Sequence, residues 1–226
     1  MTELARPEMD YSVLEREPPE VMARALRVGA HLWSSATAFF FLAFLFAYFY
    51  LRALNNNGQW HPHRVKAPVT LGTLIAASVV ASAVVLLGGT RRLRAGDDRA
   101  FRLAGLAALA LGLLAGGLQI VEYATIGFGP TDGGFASVFL GWTGLYLLFV
   151  ISSLYWLETL LATSFRYRGA GAAGHQPGEA SGDRNRSGDD IARPLSLVEP
   201  GAEAFAFYWS VLAGIGAVTW AILYLL

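Results

Sequence analysis

The 226-residue sequence predicts an all-α membrane protein, a bundle of five transmembrane helices. Hydrophobic residues make up 54% of the chain and charged residues only 15%, which leaves too little polar surface for a water-soluble domain of this size. A hydrocarbon core about 30 Å thick needs roughly 20 apolar residues of helix. Because lipid offers no partner for free backbone N–H and C=O groups, each long apolar run should be helical. Five runs qualify, at residues 28–52, 69–89, 103–123, 136–163 and 205–225.

These runs divide the chain into four parts. Residues 1–27 mix charges of both signs and form a predicted cytoplasmic N-terminal tail, and residues 28–163 contain the first four helices. Residues 205–226 contain the fifth helix. Between them, the segment 164–204 is predicted to be a flexible cytoplasmic loop. Its central part, 168–193, is rich in Gly, Ser, Asp and Arg and cannot bury enough apolar area to fold.

The distribution of basic residues predicts the orientation of the bundle. Fourteen arginines lie in the tail, in the second connection and in the 164–204 loop. The other connections contain only Arg52, Arg64 and Lys66. Since basic residues accumulate on the cytoplasmic side, the N-terminus is expected in the cytoplasm and the C-terminus outside.

Composition also excludes several classes of function. The net charge is zero, so the chain has no basic excess for binding nucleic acid. Cysteine is absent, which excludes disulfides, iron–sulfur clusters and thiolate catalysis. His61 and His63 are too few ligands for a specific metal site. A bis-histidine haem would need a second histidine within a helix besides His31. We therefore expect no cofactor in this chain.

Ionisable side chains near the bilayer middle mark enzymes and ion pathways, and they are scarce here. Glu122 lies at the outer end of the third predicted helix. Glu158 lies near the inner end of the fourth predicted helix. The two carboxylates thus lie toward opposite faces of the membrane and cannot act as an acid–base pair. Gln119 and Glu122 share one helix face. We expect Glu122 to contact a neighbouring helix or loop, or a partner subunit. The alternative is a carboxylate that reaches interfacial water.

Motifs on all five predicted helices resemble the cytochrome c oxidase subunit 3 family, subunit III of the haem–copper oxidases. Leu118-Gln119 followed by Glu122-Tyr123 is similar to the family's Leu-Gln-x-x-Glu-aromatic element. The resemblance covers residues 28–163 and 203–226. The other matching segments are Phe46-Ala47-Tyr48-Phe49-Tyr50-Leu51-Arg52, Trp60 with Pro62 and Pro68, Ala77-Ser78, Ala81-Ser82, Ser137-Val138-Phe139, Thr143-Gly144, Glu203, Tyr208-Trp209 and Tyr224-Leu225.

The resemblance implies a subunit-III-like fold in a short, five-helix member, located in a bacterial plasma membrane. Such a subunit belongs to a respiratory terminal oxidase and supports aerobic electron transport to oxygen, but has no catalytic centre of its own. Haem and copper are expected in partner subunit I, on which this chain would pack in a complex that also contains subunit II. The chain would also hold membrane phospholipid. The residues implied in structural, partner or lipid contacts are Gln119, Glu122, Tyr123, Thr143, Gly144, Tyr208 and Trp209.

Departures from the family pattern keep two alternatives open. Residues 34–39 lack the glutamate that the family usually carries in this helix. Tyr146 and Phe149 replace two family histidines, and Ser210 and Ala213 replace a histidine and an aspartate. These losses leave room for a subunit-III-like accessory protein of a nitric oxide reductase. A small membrane transporter is the other alternative, but it would need broken helices and polar midplane groups.

Overall fold

The computed structural model of the chain is a bundle of five long helices, as the sequence predicts. It describes residues 19–54, 60, 65–173 and 187–226. In these ranges, five helices are long and apolar enough to cross a membrane, and the chain is a multi-pass membrane protein. The elements are α1 (Pro19–Ala53), α2 (Val69–Arg94), α3 (Asp98–Thr125), α4 (Gly134–Ala173), α5 (Ser187–Trp220) and a C-terminal π-helix (Ala221–Leu225) that continues α5.

The first helix extends beyond its apolar run. Residues 19–27, which the sequence assigns to the tail, form the first turns of α1. Pro19 suits a helix start because the N–H that it lacks would have no partner within the helix. Glu20 adds a negative charge next to the positive end of the helix dipole. The predicted tail before residue 19 lies outside the described residues.

Two helices also enter the segment 164–204. α4 continues to Ala173 and α5 begins at Ser187, so the backbone is helical on both sides of residues 174–186. Those residues lie outside the described ranges, and the flexibility of the loop stays a prediction. Hydropathy marks the part of a helix that crosses lipid, whereas the helix itself can continue into water.

A tight turn joins α2 to α3. Gly96 has a φ of 83°, a conformation that costs little only for glycine. The N–H of Gly96 donates to the carbonyl of Leu93 at 2.9 Å, and the N–H of Asp97 donates to that of Arg92 at 3.0 Å. The Asp97 carboxylate then accepts the N–H of Ala100 at 3.0 Å and caps α3. The turn therefore fixes α2 and α3 as an antiparallel pair.

α5 occupies the centre of the bundle. It packs against α1, α2 and α4, while α3 packs against α2 and α4. The side chains of Phe205, Trp209 and Leu212 on α5 are fully buried. By contrast, α1 exposes large apolar side chains such as Phe39 and Phe46, which are 73% and 70% exposed. An apolar outer surface of this kind suits lipid rather than water.

Candidate functional site

Polar contacts between helices gather at one end of the bundle, where α1 and α3 end and α2 and α4 begin. We call this the Trp60 end, after a buried residue of the α1–α2 connection, and the opposite end the Arg94 end. The carbonyl of Trp60 accepts the N–H of Phe135 at 2.9 Å. The Trp60 ring packs edge-to-face on Tyr48, with 5.2 Å between ring centroids. Trp60 is thus held against both α1 and the start of α4.

Glu122 is the most deeply buried carboxylate of the described residues, with no exposed surface. The hydroxyl of Tyr224 donates to both of its carboxylate oxygens, at 2.7 and 2.9 Å. The amide Nε2 of Gln119 donates to the same carboxylate. A buried charged or polar group needs such partners, because an unpaired one costs the full free energy of removing it from water. Glu122 therefore ties α3 to the C-terminal π-helix.

A second contact at the Trp60 end joins α3 to α4. The hydroxyl of Tyr123 donates to Thr143 Oγ1 at 2.8 Å, and Thr143 in turn donates to the carbonyl of Phe139 at 2.6 Å. Gly144 lies beside this pair, since a Cβ atom there would be 3.8 Å from the Tyr123 hydroxyl. The structure thus brings together five of the residues singled out in the sequence, namely Gln119, Glu122, Tyr123, Thr143 and Gly144.

Trp209, another residue singled out in the sequence, lies elsewhere, among α2, α3 and α5. Its indole Nε1 donates to the hydroxyl of Ser82 at 3.0 Å. Ser82 donates to the carbonyl of Ala108 at 2.8 Å. All three residues are fully buried. This chain of two hydrogen bonds connects three helices through the middle of the bundle.

Tyr208, the last of the singled-out residues, lines an apolar groove between α1 and α4. The groove has a volume of about 720 Å³ and is also bounded by Trp33, Leu148, Phe149 and Trp156. Tyr208 is almost fully buried, and its ring lies 6.2 Å from that of Trp156. A groove of this size and lining accepts apolar chains rather than polar solutes.

The residues at the positions of the family histidines form hydrogen bonds to backbone carbonyls or pack against other rings. The hydroxyl of Tyr146 donates to the carbonyl of Leu212 at 3.1 Å, which joins α4 to α5. Phe149 packs edge-to-face on Phe41 of α1, with ring centroids 5.4 Å apart. Ser210 donates to the carbonyl of Ala206 on its own helix at 2.7 Å.

Of the histidines considered as ligands, His31 lies within the described part of the chain. His31 Nδ1 donates to the carbonyl of Arg27 at 2.7 Å, and the His31 ring stacks on Phe207. His61 and His63 lie outside the described residues. Within the described part of the chain, no group of three His, Cys, Asp or Glu side chains could hold a metal ion.

Two members of these networks, Tyr224 and Ser82, belong to the family-like motifs but are absent from the contact residues expected from the sequence. Tyr224 is 102 positions from Glu122, and Ser82 is 127 positions from Trp209. Periodicity within one helix contains no information on such distant pairs. The sequence does contain a chemical indication of these partners. A carboxylate and an indole N–H within apolar helices each need a hydrogen-bond partner, and the neighbouring helices contain few hydroxyl groups that could serve.

Residues 12–176 match the family model described as Cytochrome c oxidase subunit III. The chain belongs to this family. Cytochrome c oxidase subunit 3 of Tachyglossus aculeatus aculeatus is 29% identical over 153 residues, which are 66% of this chain and 59% of the relative. The protein of that name from Gallus gallus is 29% identical over 149 residues, 64% of this chain and 57% of the relative. That from Neurospora crassa is 27% identical over 149 residues, covering 64% and 55%.

The match to subunit III therefore spans less than two thirds of the length of these relatives. Within this chain, the match to the family model covers α1 to α4, including the polar residues of α3 and α4 at the Trp60 end. Tyr208, Trp209 and Tyr224 lie on α5 and the π-helix, beyond the matched residues.

Proposed function

We propose that this chain is subunit III of a respiratory haem–copper terminal oxidase, an integral membrane subunit without a redox centre of its own. The observation that carries the proposal is the family match over residues 12–176. In this proposal the chain packs on subunit I, which holds the haem and copper, in a complex that also contains subunit II. Electron transfer to oxygen then belongs to the whole complex.

The packing of the bundle supports a structural role for this chain. Its interior hydrogen bonds pair helices with one another, as in Glu122 with Tyr224 and Tyr123 with Thr143. The side chains of Phe39 and Phe46 on α1 instead point outward, where a partner helix or lipid can cover them. In lipid, helices associate by close packing and hydrogen bonding. The exposed aromatic side chains of α1 offer a wide surface for close packing.

Membrane phospholipid is the second proposed partner. The groove between α1 and α4 is lined by apolar side chains such as Trp33 and Leu148, and its volume of about 720 Å³ suits part of an acyl chain.

Gly29 lines this groove, and a Cβ atom there would meet nothing within 4 Å. Gly29→Leu should therefore fill the groove without disturbing the bundle. Phosphorus analysis of the purified complex should find less bound phospholipid. Gly117→Leu, at a position equally open but outside the groove, is the control.

The complex can be identified by purifying the tagged chain in a mild detergent from its own membrane. We expect a haem-containing subunit I to co-purify in about equal amount, with oxygen consumption by the preparation. Co-purification with a nitric oxide reductase instead, shown by reduction of nitric oxide without oxygen consumption, would overturn the oxidase assignment. Recovery of the chain with no haem protein would contradict both.

Glu122 provides a second test of the proposed role. If its contacts hold this chain in the shape that subunit I recognises, Glu122→Ala should weaken retention of the chain in the complex. The optical spectra of the core haems should stay unchanged, since this proposal places the haems in subunit I. Full retention of the variant through detergent purification would refute the proposed contribution of Glu122 to assembly.

The proposed location is a bacterial plasma membrane, with the N-terminus in the cytoplasm and the C-terminus outside. Support comes from the fourteen-to-three distribution of basic residues between the two sides. Reporter domains inserted after His175 and after His61 should report opposite sides of the membrane. Equal accessibility of both insertions from outside would contradict the orientation.

A further inference from the structure

A second cavity opens at the Trp60 end, away from the apolar groove. Its volume is about 510 Å³, and it lies between the end of α1, the α1–α2 connection, the start of α4 and the C-terminal π-helix. Two of its lining residues, Arg52 and Lys66, are cationic and exposed. They are two of the only three basic residues in the sequence segments assigned to this side. The cavity therefore concentrates most of the positive charge of this end.

Neither cation is neutralised within the described part of the chain. No carboxylate oxygen there lies within 4.0 Å of Arg52 or Lys66. The described acidic side chains of this end are engaged elsewhere. Glu122 accepts from Tyr224 and Gln119, and Asp132 accepts the N–H of Gly129 at 2.6 Å. The two cations thus lack an acidic partner among these residues.

The walls of the cavity hold Arg52 in place. Its Nη1 donates to the hydroxyl of Tyr48 at 3.4 Å, and its guanidinium lies 5.9 Å from the centre of the Tyr48 ring. Tyr48 is itself buried and packed on Trp60. Most of the guanidinium donors remain available, and a guanidinium can bind two oxygens of a phosphate at once. Lys66 adds a second, more mobile positive charge.

We propose that Arg52 and Lys66 bind the phosphate of an anionic phospholipid headgroup in this cavity. The depth of the site favours a lipid over a soluble anion. Arg52 lies in the last turn of a membrane-spanning helix, and Lys66 lies just before the next one. Tyr48 and Trp60 are of the residue types that populate the headgroup region. Leu225 and Leu226 also line the cavity and are 59% and 67% exposed, so apolar surface for the attached glycerol and acyl carbons is adjacent.

This site differs from the apolar groove in chemistry and in position. The groove is lined by α1, α4 and Tyr208 of α5, with no basic residue, whereas the cavity combines two cations with the Tyr224 region of the π-helix. The proposal does not depend on which core enzyme the chain joins. It can therefore fail or succeed independently of the oxidase assignment.

The test is a lipid titration of the purified full-length chain in a neutral detergent, followed by native mass spectrometry. Dioleoylphosphatidylglycerol is the probe, and inorganic phosphate is the competing soluble anion. The double substitution Arg52→Gln with Lys66→Gln should weaken lipid binding by about tenfold or more, since it removes both charge-assisted contacts. The control is Arg91→Gln with Arg92→Gln, two exposed arginines at the Arg94 end. It should change the affinity less than about twofold.

A single substitution guards against a folding defect. Lys66→Gln removes no hydrogen bond between described side chains, so the bundle should keep its helical circular dichroism while binding weakens. Unchanged binding in the folded single and double variants would overturn the proposal. Displacement of the lipid by an equal concentration of inorganic phosphate would assign the cavity to a soluble anion and overturn the lipid occupant. The purified complex of the double variant could also lose a partner protein and keep its lipid. That result would overturn the lipid proposal and assign the cavity to an acidic protein segment.

Discussion

The two ends of the bundle hold their helices together by different means. At the Trp60 end, a buried side chain hydrogen-bonds to a half-buried one far away in the sequence, as Glu122 does with Tyr224 and Thr143 with Tyr123. At the Arg94 end, α2 and α5 are joined by the ion pair of Arg94 with Glu203, whose side chains are 59% and 20% exposed. Each hydrogen bond of the first set includes one buried partner, whereas neither side chain of the ion pair is fully buried and that of Arg94 is largely exposed.

This difference predicts where the stability of the bundle lies. Removing one partner of a buried hydrogen bond costs about 1–3 kcal/mol, because the other partner is left unpaired away from water. An exposed ion pair contributes about 0–1 kcal/mol, since water and salt screen it. Substitutions at the Trp60 end should therefore lower the free energy of unfolding more than those at the Arg94 end.

The largest effect is expected for Glu122→Ala. The substitution leaves Gln119 and the Tyr224 hydroxyl without their acceptor and should lower the free energy of unfolding by about 2–3 kcal/mol. Reversible unfolding of the purified chain in mixed micelles provides the measurement. Glu158→Ala is the matched control, because Glu158 is exposed on α4, and its effect should stay within about 0.5 kcal/mol. Equal losses in the two variants would break the comparison.

A glycine substitution tests the same contact from the opposite side. A Cβ atom on Gly72 would lie 2.3 Å from the Tyr224 ring, so Gly72→Ala must push the ring away from its place near Glu122. We expect a loss of about 1–3 kcal/mol, as for other overpacked interiors. Gly88→Ala, on the same helix but with nothing within 4 Å of its Cβ, should not destabilise the chain. If thermal melting gave the two variants the same stability, the close packing at Gly72 would be refuted.

A smaller loss is expected for Tyr123→Phe. This change removes the hydrogen bond from the Tyr123 hydroxyl to Thr143 and keeps the ring. The loss should be about 1 kcal/mol, the usual net value of one such bond. Tyr155→Phe removes the hydroxyl of a side chain that is 70% exposed and should leave the unfolding midpoint unchanged. A larger shift for Tyr155 than for Tyr123 would contradict the account.

The smallest effect is expected at the Arg94 end. Arg94→Gln breaks the ion pair with Glu203 and should cost about 0–1 kcal/mol, with the difference from wild type shrinking as salt is added. Unfolding measured at low and high ionic strength tests this. A salt-independent loss as large as that of Glu122→Ala would erase the difference between the two ends.

The five helices could be predicted from the sequence because each follows from a property of consecutive residues. Length and hydropathy identify a span, and the need of the backbone for hydrogen bonds in lipid makes it helical. The ends of α1, α4 and α5 could not be placed this way, since a helix continues into water wherever its residues permit. Pro19 and Glu20 at the start of α1 show this.

The candidate site was predictable only in part. Gln119, Glu122 and Tyr123 stand out because polar residues are scarce in an apolar helix. The partner of Glu122 does not stand out in the same way, because Tyr224 meets Glu122 only after α3 and the C-terminal π-helix pack together. Tyr208 and Trp209 are adjacent in the sequence, yet one lines the groove and the other bonds to Ser82. Neighbours on a helix point in different directions, and only the surrounding helices decide what each one meets.

A double-mutant cycle between Glu122 and Tyr224 tests the central claim most directly. The claim is that these two side chains stabilise the bundle through each other. Unfolding free energies of the wild type, Glu122→Gln, Tyr224→Phe and the double variant give their coupling energy. We predict a coupling of about 1–3 kcal/mol, as expected for side chains in direct contact. Additive effects, with a coupling below about 0.5 kcal/mol, would contradict the account.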